Sequence, residues 1–225
     1  MKLIKQVMPI FVVIFLASCL CLFKHKHPPA SYVNNIRSTY KISTYHTIGP
    51  IKIKLFCGSA IAISEDRLIT ARHVLSSPDT NLIEVEIYST NGVYMTSLEA
   101  KVLRDNEDMD LTELILTQKQ LPYYYSQKLE ANADEIGDSV YLVGCSMGFL
   151  PADIRSGFIS SKFAPYCPGW WSASTTASSG DSGCGIFDTK TNKLLGIVLA
   201  KYGAGDEVWS TGFISTDKVI NFLAD

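Results

Sequence analysis

The stretch "GSAIAISEDRLITARHV", residues 58–74, holds two short apolar runs, "SAIAI" and "RLIT", divided by the polar residues "SED". Runs of four or five apolar residues bounded by turn signals suit strands better than helices. His73 follows the second run within "ITARHVL". The stretch therefore reads as strand segments that end by presenting an imidazole.

The pattern extends outward in both directions. "IKIKLF" (51–56) and "IEVEIY" (83–88) alternate with period two, the mark of half-buried strands. "STNGVY" (89–94) places Asn91-Gly92 between strands, a hairpin signal. Similar short runs recur to "LLGIVLA" (194–200) and "WSTGFIS" (209–215). Only "STDKVINFL" (215–223) has helical spacing, with Ser215 or Thr216 as cap and Val219, Ile220 and Leu223 on one face. A dozen short strands imply an all-β barrel or sandwich architecture. The least strand-like interval, about 119–135, reads as a connector between two halves, with the tyrosines at 123–125 packed over a seam.

A second stretch carries chemistry. "SSGDSGCGIFD" (178–188) sets glycines around Asp181 and Ser182 just ahead of an apolar run. Serine nucleophiles need an exposed hydroxyl, an imidazole base and a carboxylate that orients the base. They also need backbone N–H groups converging on the developing oxyanion, which side chains beside the serine would block. For the carboxylate, "NEDMDLTELIL" (106–116) offers Asp108 and Asp110, with Asp105 just before it. Asp110 directly precedes the apolar run, whereas Asp108 belongs to an acidic, solvated cluster.

Together, "GSAIAISEDRLITARHV", "DLTELIL" and "SGDSGCG" resemble the segments of trypsin/chymotrypsin-like serine peptidases, over roughly residues 50–224. The order His73, Asp110, Ser182 is that of the chymotrypsin-like fold, distinct from the orders of subtilisins and α/β-hydrolases. The resemblance implies two six-stranded antiparallel β-barrels and a short C-terminal helix. It implies hydrolysis of protein or peptide substrates by His73, Asp110 and Ser182, with no cofactor and no metal. The Gly180 and Ser182 amides would form the oxyanion hole, and Asp181 would bury its side chain to steady that loop. Thr176, Leu199 and Lys201 would frame the substrate pocket, whose uncharged Thr176 argues against a preference for Lys or Arg. The rival expectation is a catalytically silent module of the same fold that binds a partner at the cell envelope.

The sequence departs from the family at three points. Val74 stands where many secreted members carry cysteine, which leaves Cys57 without its usual partner and Cys184 as a candidate substitute. Cys184 and Gly185 follow the nucleophile where glycine and proline are common. No basic cleavage site precedes an "IVGG"-like start, so a site formed without a freed N-terminus is expected.

The first residues stand apart. Lys2 and Lys5 precede the apolar "VMPIFVVIFLASCLCLF" (7–23), which ends at "KHKH". Residues 1–27 thus read as a signal peptide or a membrane anchor, placing the remainder outside the cytoplasm and tethered to a membrane. "LASC" resembles the bacterial lipoprotein box, with Cys19 as the lipidation candidate, and an uncleaved helix is the alternative. Residues 28–46 read as a polar spacer and 47–225 as the peptidase domain. Within that domain the first barrel spans about 47–118, the second about 136–215 and the helix about 216–224. Cys57, Cys145, Cys167 and Cys184 lack the close spacing of zinc ligands. A net charge of −2 gives no basic surface for nucleic acid. Oligomeric state is not legible.

Overall fold

In the computed structural model the described residues are 30–89, 92–118, 120–131, 133–148, 152–163, 169–204 and 207–224. The leader with Cys19, Asn91 of the expected hairpin, and Cys167 lie outside them.

Helix α1 (Ala30–Arg37) leads into β1 (Thr39–Ile48), β2 (Ile51–Ala62), β3 (Arg67–Ala71), β4 (Leu82–Tyr88), β5 (Tyr94–Asn106) and β6 (Leu111–Leu116). These six close into an antiparallel barrel in the order β1-β2-β3-β6-β5-β4. A second closed barrel, ordered β10-β11-β12-β9-β8-β7, follows. Its strands are β7 (Ser139–Gly144), β8 (Asp153–Ser161), β9 (Trp170–Ala173), β10 (Gly185–Asp188), β11 (Leu194–Ala204) and β12 (Glu207–Ser215). Closure removes the exposed edges that an open sheet of short strands would present. This is the chymotrypsin-like double barrel, with α2 (Thr216–Ala224) as its short C-terminal helix.

Alternation sets the interior. Ile83, Val85 and Ile87 of β4 turn into the first barrel beside Ile42, Leu68 and Leu114. The second barrel is filled by Val140, Leu142, Ile159, Ile186, Val198 and Phe213. The connector joins the two halves through tyrosine. Tyr125 donates its N–H to the Ala62 carbonyl of β2 (2.8 Å), and its hydroxyl accepts the Leu194 N–H of β11 (2.8 Å).

Two expectations need correction. Residues 30–46, read within a spacer, instead form α1 and most of β1, so the first barrel starts at Thr39 rather than near 47. Polar residues of β1 are buried with partners: Lys41 and Ser43 both meet Glu86 of β4. At the other end, α2 buries Thr216, Val219 and Phe222, with Leu223 packed partly buried against the core. Thr216 does not cap the helix; its hydroxyl donates to the Leu194 carbonyl (2.7 Å).

Candidate active site

At the end of β3 the chain tightens into a 3-10 turn, Arg72–Leu75, pinned by the buried Val74. His73 lies on this turn with its side chain 44% exposed. Asp110, immediately before β6, adopts a left-handed backbone with φ 53°, a conformation that aspartate tolerates better than most residues. Its carbonyl accepts the Arg72 N–H (2.9 Å). Its carboxylate grips His73 twice: Oδ1 accepts the backbone N–H (2.8 Å) and Oδ2 meets ring Nδ1 (2.6 Å). An ionised carboxylate only accepts, so Nδ1 carries the proton and Nε2 is left as the basic nitrogen. Asp105, by contrast, binds Arg72 and Thr112.

Ser182 sits on a turn stitched to both barrels. Its carbonyl accepts the Ser59 N–H of β2 (2.8 Å), and the Gly183 N–H donates to Val198 of β11 (2.7 Å). Gly183 has φ 88°, and a Cβ there would lie 2.1 Å from the Ser59 carbonyl and 2.3 Å from the Thr70 hydroxyl. Only glycine lets the turn dock this closely. A Cβ on Gly58 would sit 2.7 Å from Val74 and 2.9 Å from the Ser182 carbonyl, so the histidine turn and the serine turn meet at Gly58. No hydrogen bond joins the Ser182 hydroxyl to the His73 ring; such contacts commonly tighten only as substrate binds.

The amides of Gly180 and Ser182 donate to no group among the described residues. Three neighbours orient this loop. The Ser59 hydroxyl donates to the Gly180 carbonyl (2.7 Å) and accepts the Cys145 N–H (2.9 Å). The Met147 N–H donates to the Ser179 carbonyl (2.5 Å). In a trans peptide the carbonyl and the following N–H point oppositely, so this bond turns the Gly180 N–H the other way. Asp181 is fully buried and pairs with the Arg155 guanidinium at 2.6 Å. It also accepts the Ser178 N–H (2.6 Å) and the Ser146 hydroxyl (3.2 Å). Gly144 makes room, since a Cβ there would fall 2.4 Å from the Asp181 carboxylate.

Beside Ser182 a cleft of about 200 Å³ is walled by Ser179, Val198, Leu199 and Lys201. Thr176 does not line it; Ala177 and Ser178 do. The Thr176 carbonyl is held instead by Arg155 (2.5 Å). Cys57, Cys145 and Cys184 are all free thiols. Cys184 packs inside the second barrel, so the expected approach to Cys57 is not made. Burial pushes the Cys145 thiol up to about 12 and holds Cys184 well above its usual range. Among the described residues no cluster of His, Cys, Asp and Glu could hold a metal.

Ser59, Met147 and Arg155 went unnoticed in the sequence. An arginine within "DIRSGFISS" reads as the solvent face of a strand, and a serine in "GSAIA" reads as filler. A serine two residues beyond Cys57 on a small-residue strand was the one usable signal.

A trypsin-like peptidase domain model matches residues 58–197, a span that contains His73, Asp110 and Ser182. The chain belongs to the trypsin-like peptidase family. Among solved structures, the trypsin-like chain resembles the HtrA-type protease AlgW with tripeptide, at TM-score 0.70 and 18% identity, over 86% of this chain and 61% of that one. It also resembles the active form of the Rv3671c protease from M. tuberculosis, at TM-score 0.66 and 20% identity, over 87% and 83%. Deg5 matches at TM-score 0.65 and 18% identity, over 85% and 89%. At these identities the likeness establishes the two-barrel fold. No curated protein matches the trypsin-like chain in sequence.

Proposed function

We propose that this member of the family is a serine endopeptidase that works through a covalent acyl-enzyme. Ser182 attacks the scissile carbonyl, His73 Nε2 takes its proton and returns it to the leaving amine, and Asp110 fixes the His73 tautomer. The amides of Gly180 and Ser182 stabilise the oxyanion. The observation that carries this reading is the double grip of Asp110 on His73, beside a serine turn whose two amides are unspent. Val198 and Leu199 beside Ser182 favour an uncharged side chain of modest size on the acyl side of the cut, with Lys201 at the rim. The leader composition supports export and a membrane tether, by lipidation of Cys19 or by an uncleaved helix.

A fluorophosphonate probe tests the chemistry. The wild-type chain is expected to form a stoichiometric adduct, and Ser182→Ala none. Absence of any adduct on the wild type favours the silent, partner-binding reading. Membrane fractionation before and after Cys19→Ala tests the tether.

A further inference from the structure

A cavity of about 310 Å³ opens between α1, β1, β4 and the connector, and shares no lining residue with the cleft at Ser182. Its volume falls in the range of small-molecule pockets. The wall is largely apolar, with Val33 and Ile36 from α1, Ile87 from β4 and Tyr123 from the connector. Two cations, Lys41 and Arg37, also line it.

The charges at this wall are unequally satisfied. Glu86 is saturated: it accepts the hydroxyls of Ser43 and Tyr88 (2.5 Å each) and pairs with Lys41 at 3.0 Å and Lys54 at 3.7 Å. Burial opposes its ionisation, yet the hydrogen bonds from Ser43, Tyr88 and Lys41 outweigh that and hold its carboxyl below the ordinary range. Lys41 is the reverse case. Its side chain is only 10% exposed, and Glu86 is its one ion-pair or hydrogen-bond partner among the described residues. An ammonium has three donors, so two are left without an acceptor among the described residues. Arg37 rests its guanidinium 4.9 Å from the Tyr123 ring centroid and meets no carboxylate among the described residues.

We propose that this cavity binds a medium-chain acyl carboxylate, its anionic head on Lys41 and Arg37 and its chain against Val33, Ile36 and Ile87. A carboxylate supplies the acceptors that Lys41 lacks, and charge-assisted bonds of this kind are about twice as strong as neutral ones. A cationic amphiphile meets two like charges, and a neutral one leaves the ammonium underused. Lys41 pairs in register with Ser59, the residue that holds Gly180 and Ser182, so the occupied cavity lies one strand away from the nucleophile turn. The inference concerns binding and does not rest on the peptidase reading.

Calorimetric titration of the full chain with octanoate, octanol and octylamine tests it. Octanoate is expected to bind one site, about tenfold or more tighter than octanol, with no binding of octylamine. Lys41→Met is expected to bring octanoate down to the level of octanol. Val33→Trp, which narrows the cavity, is expected to weaken both by about tenfold or more. If Lys41→Met does not fold, Arg37→Gln on the rim takes its place and is expected to weaken octanoate alone. Octanol binding as tightly as octanoate, undiminished octanoate binding in Val33→Trp, or no octanoate binding at about millimolar concentration overturns the proposal.

Discussion

Arg155 of β8 and Asp181, the residue before Ser182, form an ion pair at 2.6 Å with the Asp181 carboxylate wholly out of solvent. The cation that steadies the Gly180–Ser182 turn is thus a side chain of the second barrel itself. The same guanidinium holds the Thr176 carbonyl and the Ser178 hydroxyl, so it joins the approach to the cleft and the Ser182 turn in one contact set.

Removing one partner of a buried pair strands a charge, which typically costs about 3–5 kcal/mol. Arg155→Met is expected to destabilise the fold on that scale and to lower kcat for a peptide amide. Arg155→Met with Asp181→Asn removes both charges, and most of the stability is expected to return while the rate stays low. Urea denaturation combined with steady-state kinetics separates the two effects, and stability losses that simply add would refute the coupling.

Asp110→Asn keeps the shape but permits the wrong tautomer of His73. The expected result is a fall in kcat of about 10⁴-fold with an unchanged circular dichroism spectrum. Asp108→Asn is the control and is expected to be near neutral. Peptide amide hydrolysis by both variants decides between the two carboxylates.

Gly183→Ala and Gly137→Ala both place a side chain at positive φ, 88° and 95°. At Gly137 nothing lies within 4 Å of the new atom, so only the backbone cost of about 1–2 kcal/mol is expected. At Gly183 the new methyl runs into Ser59, Thr70 and Ala71, and the turn must shift or the fold must fail. Thermal melts of the pair, with probe labelling of Ser182, show the difference.

Acid tests the buried carboxylate of β4. The Glu86 pKa is depressed in the fold, so its contribution is complete above the unfolded value of 4.5 and is lost as pH falls through the lower folded value. Glu86→Gln is expected to be less stable than wild type near neutral pH and to lose less on acidification below about pH 4.5. Denaturation midpoints between pH 3 and pH 7 check the slope, and parallel curves would remove Glu86 as a source of the acid response.

Much of the double barrel was legible because short apolar runs became strands, as in "IEVEIY", whose period-two apolar residues fill the interior. The docking of the Ser182 turn was legible because it demands small neighbours, and the contact of Asp110 with His73 because an apolar strand starts directly after Asp110. β1 was not. Its polar residues resemble a solvated spacer until Glu86, more than forty residues later, supplies their partner. Arg155 was hidden for the same reason: a cation in a strand carries no local mark of the acid it will meet across the barrel.

Ser59 belongs to one barrel, yet its amide and its hydroxyl hold the carbonyls of Ser182 and Gly180 in the other. The candidate centre is therefore a keystone between two arches. Prising the halves apart is expected to free that turn before either arch falls, so mild denaturant should end probe labelling of Ser182 while the strands still stand.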